Sequence, residues 1–317
     1  MQVFFEQFFE FLKGVVLFYT VQLGRSAMLS VFIILLIVFL RMTICKKTVF
    51  VKGLLWSLLI PLPFMGKMKF FYETEAGVRI FGWWQKLIFG KPGFAYLYIG
   101  IVLLLGIIVF VKRRKLWKYA KSLRKTQIEG NTVYVSDLEI TPFVVGIIRP
   151  KIVLPEIMIK ELDEKELKII ISHEKIHIKQ GHLILYAIWD FIRILLWLNP
   201  MIFLCTKWFK EDLEDICDKV AIRKGNHDFY YYGRVLLHSI RRLKEGTNTI
   251  HTLTFSGYND YENIKRRITR VAEYKPYKRV VAWCMVGLVF LGIIGCMVGV
   301  YHVSYKRCKK QSNCIWW

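Results

Sequence analysis

The chain has few acidic residues, and its cysteines follow no recognisable spacing. It has 24 Asp and Glu against 47 Lys and Arg, which gives a formal net charge of +23. The seven Cys form no CxxC pair and no structural-zinc spacing, so they predict no disulfide framework. The sequence also lacks a helix-turn-helix signal and any interleaved patch of aromatic and basic residues. The basic excess therefore favours contact with anionic lipid over direct nucleic acid binding.

Apolar residues, in contrast, are abundant. They make up 55% of the chain, and the mean hydropathy is +0.36. This is too apolar for an ordinary soluble enzyme of 317 residues, and it predicts a membrane protein with one soluble part. The start of the chain lacks the basic region of a cleavable signal peptide. Four stretches are long and apolar enough to predict transmembrane helices, at about 23–40, 49–65, 94–111 and 280–303.

Basic clusters beside these stretches predict the orientation of the chain. Basic residues follow the first stretch, at 41–47, and the third stretch, at 112–115. Both clusters belong on the cytoplasmic side by the positive-inside rule. This predicts an N-terminal membrane region over 1–111 and a cytoplasmic domain over 112–279. The short basic tail over 304–317 would then lie outside, although its own charge argues against that side.

The cytoplasmic domain has the pattern of mixed strands and helices. A basic linker over 112–127 leads into alternating, β-branched residues at 132–135 and 142–154, which predict two or more strands. The apolar stretch near 183–209 is interrupted by charged residues and predicts a re-entrant or membrane-associated helix that ends at Asn199-Pro200. The expected fold class is a mainly α membrane protein, with four transmembrane helices and a cytoplasmic α+β domain.

One short motif indicates the chemistry, because residues 173–177 have the sequence HEKIH, an HExxH motif. On a helix, His173 and His177 lie on one face and can bind one metal ion, while Glu174 can contact a metal-bound water. Zinc would lower the pKa of that water, and Glu174 would take its proton. The motif can also arise by chance on a surface helix, but Asp163 followed by Glu166 has the pattern of a capping box that begins a helix around it.

A catalytic zinc needs a third protein ligand, and Glu214 is the predicted one. Residues 211–220 have the pattern of a charged amphipathic helix, on which Glu214 and Asp218 share a face. Asp218 could then accept a hydrogen bond from the outer nitrogen of a zinc-bound His. His182 is the competing ligand, but it lies beyond the helix-ending Gly181 and fits the start of the next helix better. Both carboxylates could also be ordinary solvated side chains.

These motifs and their flanking segments resemble the BlaR/MecR-type antirepressor metallopeptidases, the integral-membrane zinc proteases of bacterial β-lactam-sensing transducers. The resemblance covers most of the chain, from the first predicted span through the fourth. It rests on five segments in the same order and spacing, Gly146-Ile147-Ile148-Arg149-Pro150-Lys151-Ile152-Val153-Leu154-Pro155, His173 to His177, Trp197-Leu198-Asn199-Pro200, Glu214 to Asp218 with Cys217 before the Asp, and Lys265-Arg266-Arg267-Ile268.

The resemblance implies a role for each matched residue of the site. His173, His177 and Glu214 would bind Zn²⁺, Glu174 would be the general base, and Asp218 a supporting carboxylate. The site would be gluzincin-like, within a zincin-like metalloprotease domain. The resemblance also implies a multi-pass protein of the bacterial cell membrane that cleaves itself and causes removal of a cytoplasmic winged-helix repressor.

One departure from the resembled family concerns its C-terminal penicillin-binding sensor domain. Only residues 304–317 follow the fourth predicted span, so we expect no such domain and no covalent binding of a β-lactam. If self-cleavage occurs, the loop-like polar stretch 246–262 is the candidate. The lipid bilayer and a cytoplasmic repressor are the expected partners, and the chain could form a homodimer.

Two other functions stay open on the sequence. One is a quality-control membrane protease of the HtpX or CAAX-processing kind, which shares HExxH with a later Glu and Asp. The segments 146–155 and 197–200 favour the antirepressor hypothesis over it. The other is a non-catalytic membrane receptor with a structural zinc. The presence of Glu174 argues against that function, because a closed structural site needs no base.

Overall fold

A computed structural model describes residues 2–43, 48–64, 75–138, 140–226, 228–241 and 266–270, together with Gly287. The described part is mostly helical and contains one four-stranded sheet. The chain divides into two compact units. The first comprises Met1–Gly106, Phe191–Lys207 and Tyr277–Trp317, and the second comprises Ile107–Asp190 and Trp208–Pro276.

Long apolar helices dominate the N-terminal part of the chain. Helix α1 spans Gln2–Met42, α2 spans Val49–Leu55, α3 spans Glu75–Gly90 and α4 spans Gly93–Ser122. Two of the described helices, Val3–Met42 and Gly93–Ser122, are long and apolar enough to cross a membrane by length and composition. They contain the predicted spans 23–40 and 94–111.

The predicted span over 49–65 is not a single α-helix. After the seven residues of α2, the chain continues in two short 3₁₀ segments, Trp56–Leu59 and Leu62–Phe64. The apolar helical stretch Val49–Leu59 would rise about 16 Å, roughly half of the 30 Å hydrocarbon core. Pro61 and Pro63 follow it and cannot supply the N–H groups that an α-helix needs. The predicted span 280–303, except Gly287, and the tail 304–317 lie outside the described residues.

Close contacts hold the first unit together. The indole of Trp84 packs where a side chain on Gly24 would lie, so a glycine allows α3 to approach α1. Ser26 donates a hydrogen bond to the backbone oxygen of Leu62 at 2.8 Å. The amide nitrogen of Asn199 donates to Ser30 Oγ at 2.6 Å.

The second unit is built around the sheet. Its strands are β1 at Arg124–Ile128, β2 at Asn131–Ser136, β3 at Phe143–Val145 and β4 at Lys151–Pro155, in the order β1-β2-β4-β3. The pairs β1–β2 and β3–β4 are antiparallel, while β2 and β4 are parallel. The prediction of two or more strands is confirmed, because 132–135 lies within β2 and 142–154 contains β3 and most of β4. The predicted linker 112–127 is wrong, because it contains the end of α4 and most of β1.

Five further helices complete the described fold, namely α5 at Glu156–Glu161, α6 at Glu164–Lys179, α7 at His182–Leu195, α8 at Pro200–Gly225 and α9 at Phe229–Arg241. Residues 266–270 are also helical. The stretch near 183–209, predicted as a re-entrant or membrane-associated helix that ends at Asn199-Pro200, contains α7, which ends at Leu195, and the start of α8 at Pro200. It breaks because Pro200 disfavours a helical conformation in the residue before it, and because Asn199 Oδ1 accepts the Met201 N–H at the start of α8.

The main core of the second unit lies between the sheet and the helices α6, α8 and α9. Leu154 on β4, Ile171 on α6, Cys217 on α8 and Tyr232 on α9 are all buried in one cluster. Since α6 carries the HExxH motif, this packing fixes the motif against a rigid support. Tyr232 is a fully buried side chain that brings a hydroxyl into this core.

Candidate metal centre

Helix α6 presents the two histidines of the motif. Asp163 accepts the Glu166 N–H at 2.7 Å and Glu166 Oε2 accepts the Asp163 N–H at 3.3 Å, so the predicted capping box begins the helix. His173 and His177 are both buried, one turn apart, and their Nε2 atoms lie 3.2 Å from each other. Two imidazole nitrogens at this distance can share one metal ion.

Glu214 on α8 completes a tripod with these two histidines. Its Oε2 lies 3.4 Å from His173 Nε2 and its Oε1 lies 3.4 Å from His177 Nε2. A tetrahedral zinc with bonds of about 2.05 Å would separate two ligand atoms by about 3.3 Å. The three separations are close to that spacing, so these side chains fit one metal ion. The structure thus brings together all three residues that the sequence predicted as ligands.

Cys217 offers a competing third ligand. Ligand atoms of His173, His177 and Cys217 all lie within 4.8 Å of one another. However, Cys217 Sγ also lies 3.5 Å from His182 Nδ1. That nitrogen of His182 faces Nδ1 of His177, on the side of the ring away from Nε2. The oxygens of Glu214, in comparison, approach the Nε2 atoms of both histidines at 3.4 Å.

The outer nitrogen of His173 faces a hydroxyl and a carboxylate. Tyr232 Oη lies 3.0 Å from His173 Nδ1 and donates its own proton to Asp218 Oδ1 at 2.7 Å. Because the hydroxyl proton is committed to Asp218, Tyr232 accepts the proton of His173 Nδ1. Asp218 Oδ1 is also 3.3 Å from that nitrogen. This arrangement leaves the lone pair on His173 Nε2, where a metal needs it.

Arg267, from the helical segment 266–270, enters the same cluster. Its guanidinium donates twice to Asp218, from Nη2 to Oδ1 at 2.6 Å and from Nε to Oδ2 at 2.9 Å. Its Nη1 lies 3.3 Å from Glu214 Oε2 and its Nη2 lies 3.3 Å from His173 Nε2. Such a two-point contact fixes both the guanidinium and the carboxylate.

Comparison with known proteins places the chain in a family. It matches the family model described as BlaR1 peptidase M56 over residues 93–271, more than half of its length. The chain belongs to this family. The resemblance predicted from the sequence motifs is thereby confirmed, and the family is one of metallopeptidases.

The curated relatives are much longer than the part that matches. The methicillin resistance mecR1 protein of Staphylococcus aureus is 28% identical over 165 residues, which cover 50% of this chain and 28% of that protein. The regulatory protein BlaR1 of Bacillus licheniformis is 27% identical over 176 residues, which cover 55% of this chain and 28% of that protein.

The charges of the M56 site call for a cation. Glu174, Glu214, Asp218 and Arg267 give the cluster a formal charge of −2 when its histidines are neutral. Burial opposes a charge on His177, yet Glu214 raises the pKa of its imidazole well above the usual range. A divalent ion would neutralise the cluster. The donor set of nitrogen and oxygen atoms suits zinc.

The carboxylates of the site respond to burial and to their neighbours in different ways. Burial alone would raise the pKa of Glu214, but His177 and Arg267 hold it well below the usual range. Burial likewise opposes the charge of Asp218, and Arg267 lowers its pKa. For Glu174, burial dominates and raises the pKa. A buried carboxylate with a raised pKa accepts a proton more readily than a solvated one.

Sequence reasoning missed two residues of the site. Tyr232 could have been found from its helix, since it recurs with Val235, Leu236 and Ser239 at the spacing of a buried face. Arg267 belonged to one of the segments that carry the resemblance. Nothing in its local sequence showed that its side chain would reach Asp218 and His173, which lie 49 and 94 positions earlier in the chain.

Proposed function

We propose that this chain is a membrane-bound zinc endopeptidase that transmits a signal by proteolysis. The observation that carries the proposal is the tripod of His173, His177 and Glu214, whose facing ligand atoms are 3.2–3.4 Å apart. The adjacent buried Glu174 supplies a base that a purely structural site would not need.

The chemistry follows from the charges around the tripod. Zinc bound there would polarise the peptide carbonyl and lower the pKa of the attacking water. Glu174 takes the proton of that water and then delivers it to the leaving nitrogen of the peptide. Tyr232 and Asp218 hold the ring of His173 in the tautomer whose Nε2 is free to bind. Arg267 holds Asp218 in place and balances part of the negative charge.

A zincin-like domain that faces the cytoplasm is part of the proposal. Apolar side chains of α1 and α4 are exposed, among them Phe32, Phe39, Leu103 and Phe110, as expected for helices that contact lipid. The basic run that begins at Lys112 follows the apolar part of α4, which favours a cytoplasmic position for 112–279. A multi-pass topology with four spans is our working model.

The proposed substrate is a cytoplasmic winged-helix repressor, and the chain itself is a second candidate. Support comes from the family and from a relative that is named a regulatory protein. The stretch 246–262 remains the candidate for self-cleavage, and it lies outside the described residues.

Co-expression tests this proposal directly. The full chain and its Glu174→Gln form would each be produced with the winged-helix repressor of the same host, and all proteins weighed by intact mass. We expect new fragments of the repressor or of the chain with the wild type only. Glu164→Gln is the matched control, because Glu164 is an exposed carboxylate on the same helix. Zinc content of each purified protein shows whether the metal is retained.

The contrary results are distinct. Identical fragments from the wild type and from Glu174→Gln would show that another protease makes the cut. Fragments of many unrelated membrane proteins, with the repressor intact, would instead favour the quality-control function. Uncut masses in every sample, with one zinc per chain, would support the non-catalytic receptor.

A further inference from the structure

His182 is buried beside the metal centre, although it is not one of the three ligands. It is 2% exposed, and its Nδ1 lies 3.1 Å from Nδ1 of His177. The two rings meet edge to face, with centroids 5.0 Å apart and planes at 78°. Gly181 makes this contact possible, because its φ of +69° ends α6 and turns the chain so that α7 begins at His182.

A pair of facing imidazole nitrogens needs one proton between them. If His182 Nδ1 carried that proton, a neutral His177 would carry its own proton on Nε2. That atom faces His173 and Glu214, so His177 could not then bind a metal. If His177 Nδ1 carries the proton, Nε2 keeps its lone pair toward the tripod.

We propose that His182 is a positioning residue that accepts the Nδ1 proton of His177. It thereby fixes both the tautomer and the ring orientation of that ligand, and the inference rests on the proposed zinc site. For His173, Tyr232 and Asp218 fix the tautomer and the ring orientation in the same way. The acceptor for His177 is a neutral ring, so the outer contact adds no further negative charge to a cluster that already carries −2.

A pair of conservative substitutions tests the inference in the full chain, purified in detergent. The side-chain oxygen of Asn is bonded to Cγ, as Nδ1 of His is. His182→Asn can therefore keep an acceptor toward His177. Gln carries its amide one bond further out, near the place of Nε2, so His182→Gln removes that acceptor at similar size and polarity. Zinc affinity would be measured by competition with a chromophoric chelator.

We expect His182→Gln to weaken zinc binding about 10- to 100-fold, the usual cost of losing an outer partner of a ligand. The affinity of His182→Asn should stay close to that of the wild type. Equal affinities in all three proteins, or an equal loss in both variants, would overturn the inference, since the second result indicates only disturbed packing.

Glu214→Gln separates this inference from the proposed function. If this variant binds zinc as tightly as the wild type, or if the wild type binds no zinc, the tripod is not the zinc site. The proposed role of His182 is then wrong as well. If Glu214→Gln loses zinc while His182→Gln retains it fully, the tripod stands and only the inference about His182 fails.

Discussion

The ion pair between Asp218 and Arg267 should be the strongest single polar contact of the metal centre. Removing one partner of a buried pair typically costs about 3–5 kcal/mol, because the other charge is left without compensation. In Asp218→Ala, Arg267 still has Glu214 Oε2 at 3.3 Å from its Nη1. We therefore expect a loss near the lower end of that range, about 3 kcal/mol.

The reverse substitution leaves the carboxylate instead. In Arg267→Ala, Asp218 keeps two donors, the Tyr232 hydroxyl at 2.7 Å and His173 Nδ1 at 3.3 Å, so a similar loss of about 3 kcal/mol follows. The double variant should lose less than the sum, since neither charge is then left alone. We expect a coupling energy of about 2 kcal/mol, within the usual range for residues in one network.

Pulse proteolysis in a urea series gives these free energies of unfolding for the full chain in detergent, with a chelator present so that zinc binding does not contribute. The pair of Lys168 and Glu129 is the matched control. Its ion pair is 3.2 Å long, but the Lys168 side chain is 70% exposed. An exposed pair should couple by less than about 1 kcal/mol. Equal coupling energies in the two pairs would refute the reasoning.

Three further outcomes are expected. Glu214→Ala should abolish tight zinc binding while Cys217→Ala should leave it nearly unchanged, as measured by chelator competition; the opposite order would make the thiol the ligand. Tyr232→Phe should weaken zinc binding by no more than about 10-fold, because Asp218 Oδ1 remains within reach of the same histidine nitrogen, and calorimetric titration would show whether the loss is larger. Gly146→Ala should destabilise the fold by about 1–3 kcal/mol in the urea assay, since its φ is +96° and a Cβ would lie 2.8 Å from a backbone oxygen.

Local pattern was enough to predict the helices that carry the residues of the tripod. The capping box at Asp163 and Glu166 begins α6 as expected, and Gly181 adopts a positive φ just beyond its end. Glu214 and Asp218 lie one turn apart on α8. These features depend on residues three to five positions apart, which a single sequence displays directly.

Strand β1 could not be predicted in the same way. Its residues are mostly exposed and polar, so they show no alternation of apolar side chains. The strand exists because Glu129 and Gly130 adopt positive φ values, which turn the chain back so that Arg124–Ile128 pairs with β2. A basic strand at the edge of a sheet has the same composition as a linker. The two can be told apart only when the neighbouring strand is known.

The network behind the ligands was hidden for a different reason. Tyr232 contacts His173 across 59 residues, and Arg267 contacts Asp218 across 49. Such contacts depend on how the helices pack against one another. The periodicity of apolar residues within a single helix does not predict them. The sequence therefore predicted the residues that meet in the tripod but not the side chains packed behind them.

The place of Arg267 in the chain also bears on what a single cut would do. Helix α9 ends at Arg241, and Arg267 returns to Asp218 only after the intervening residues. In an intact chain the guanidinium and its carboxylate belong to one molecule. Scission anywhere between 241 and 266 would make the same pair a contact between two fragments. The charge balance of the metal centre would then depend on whether those fragments stay associated.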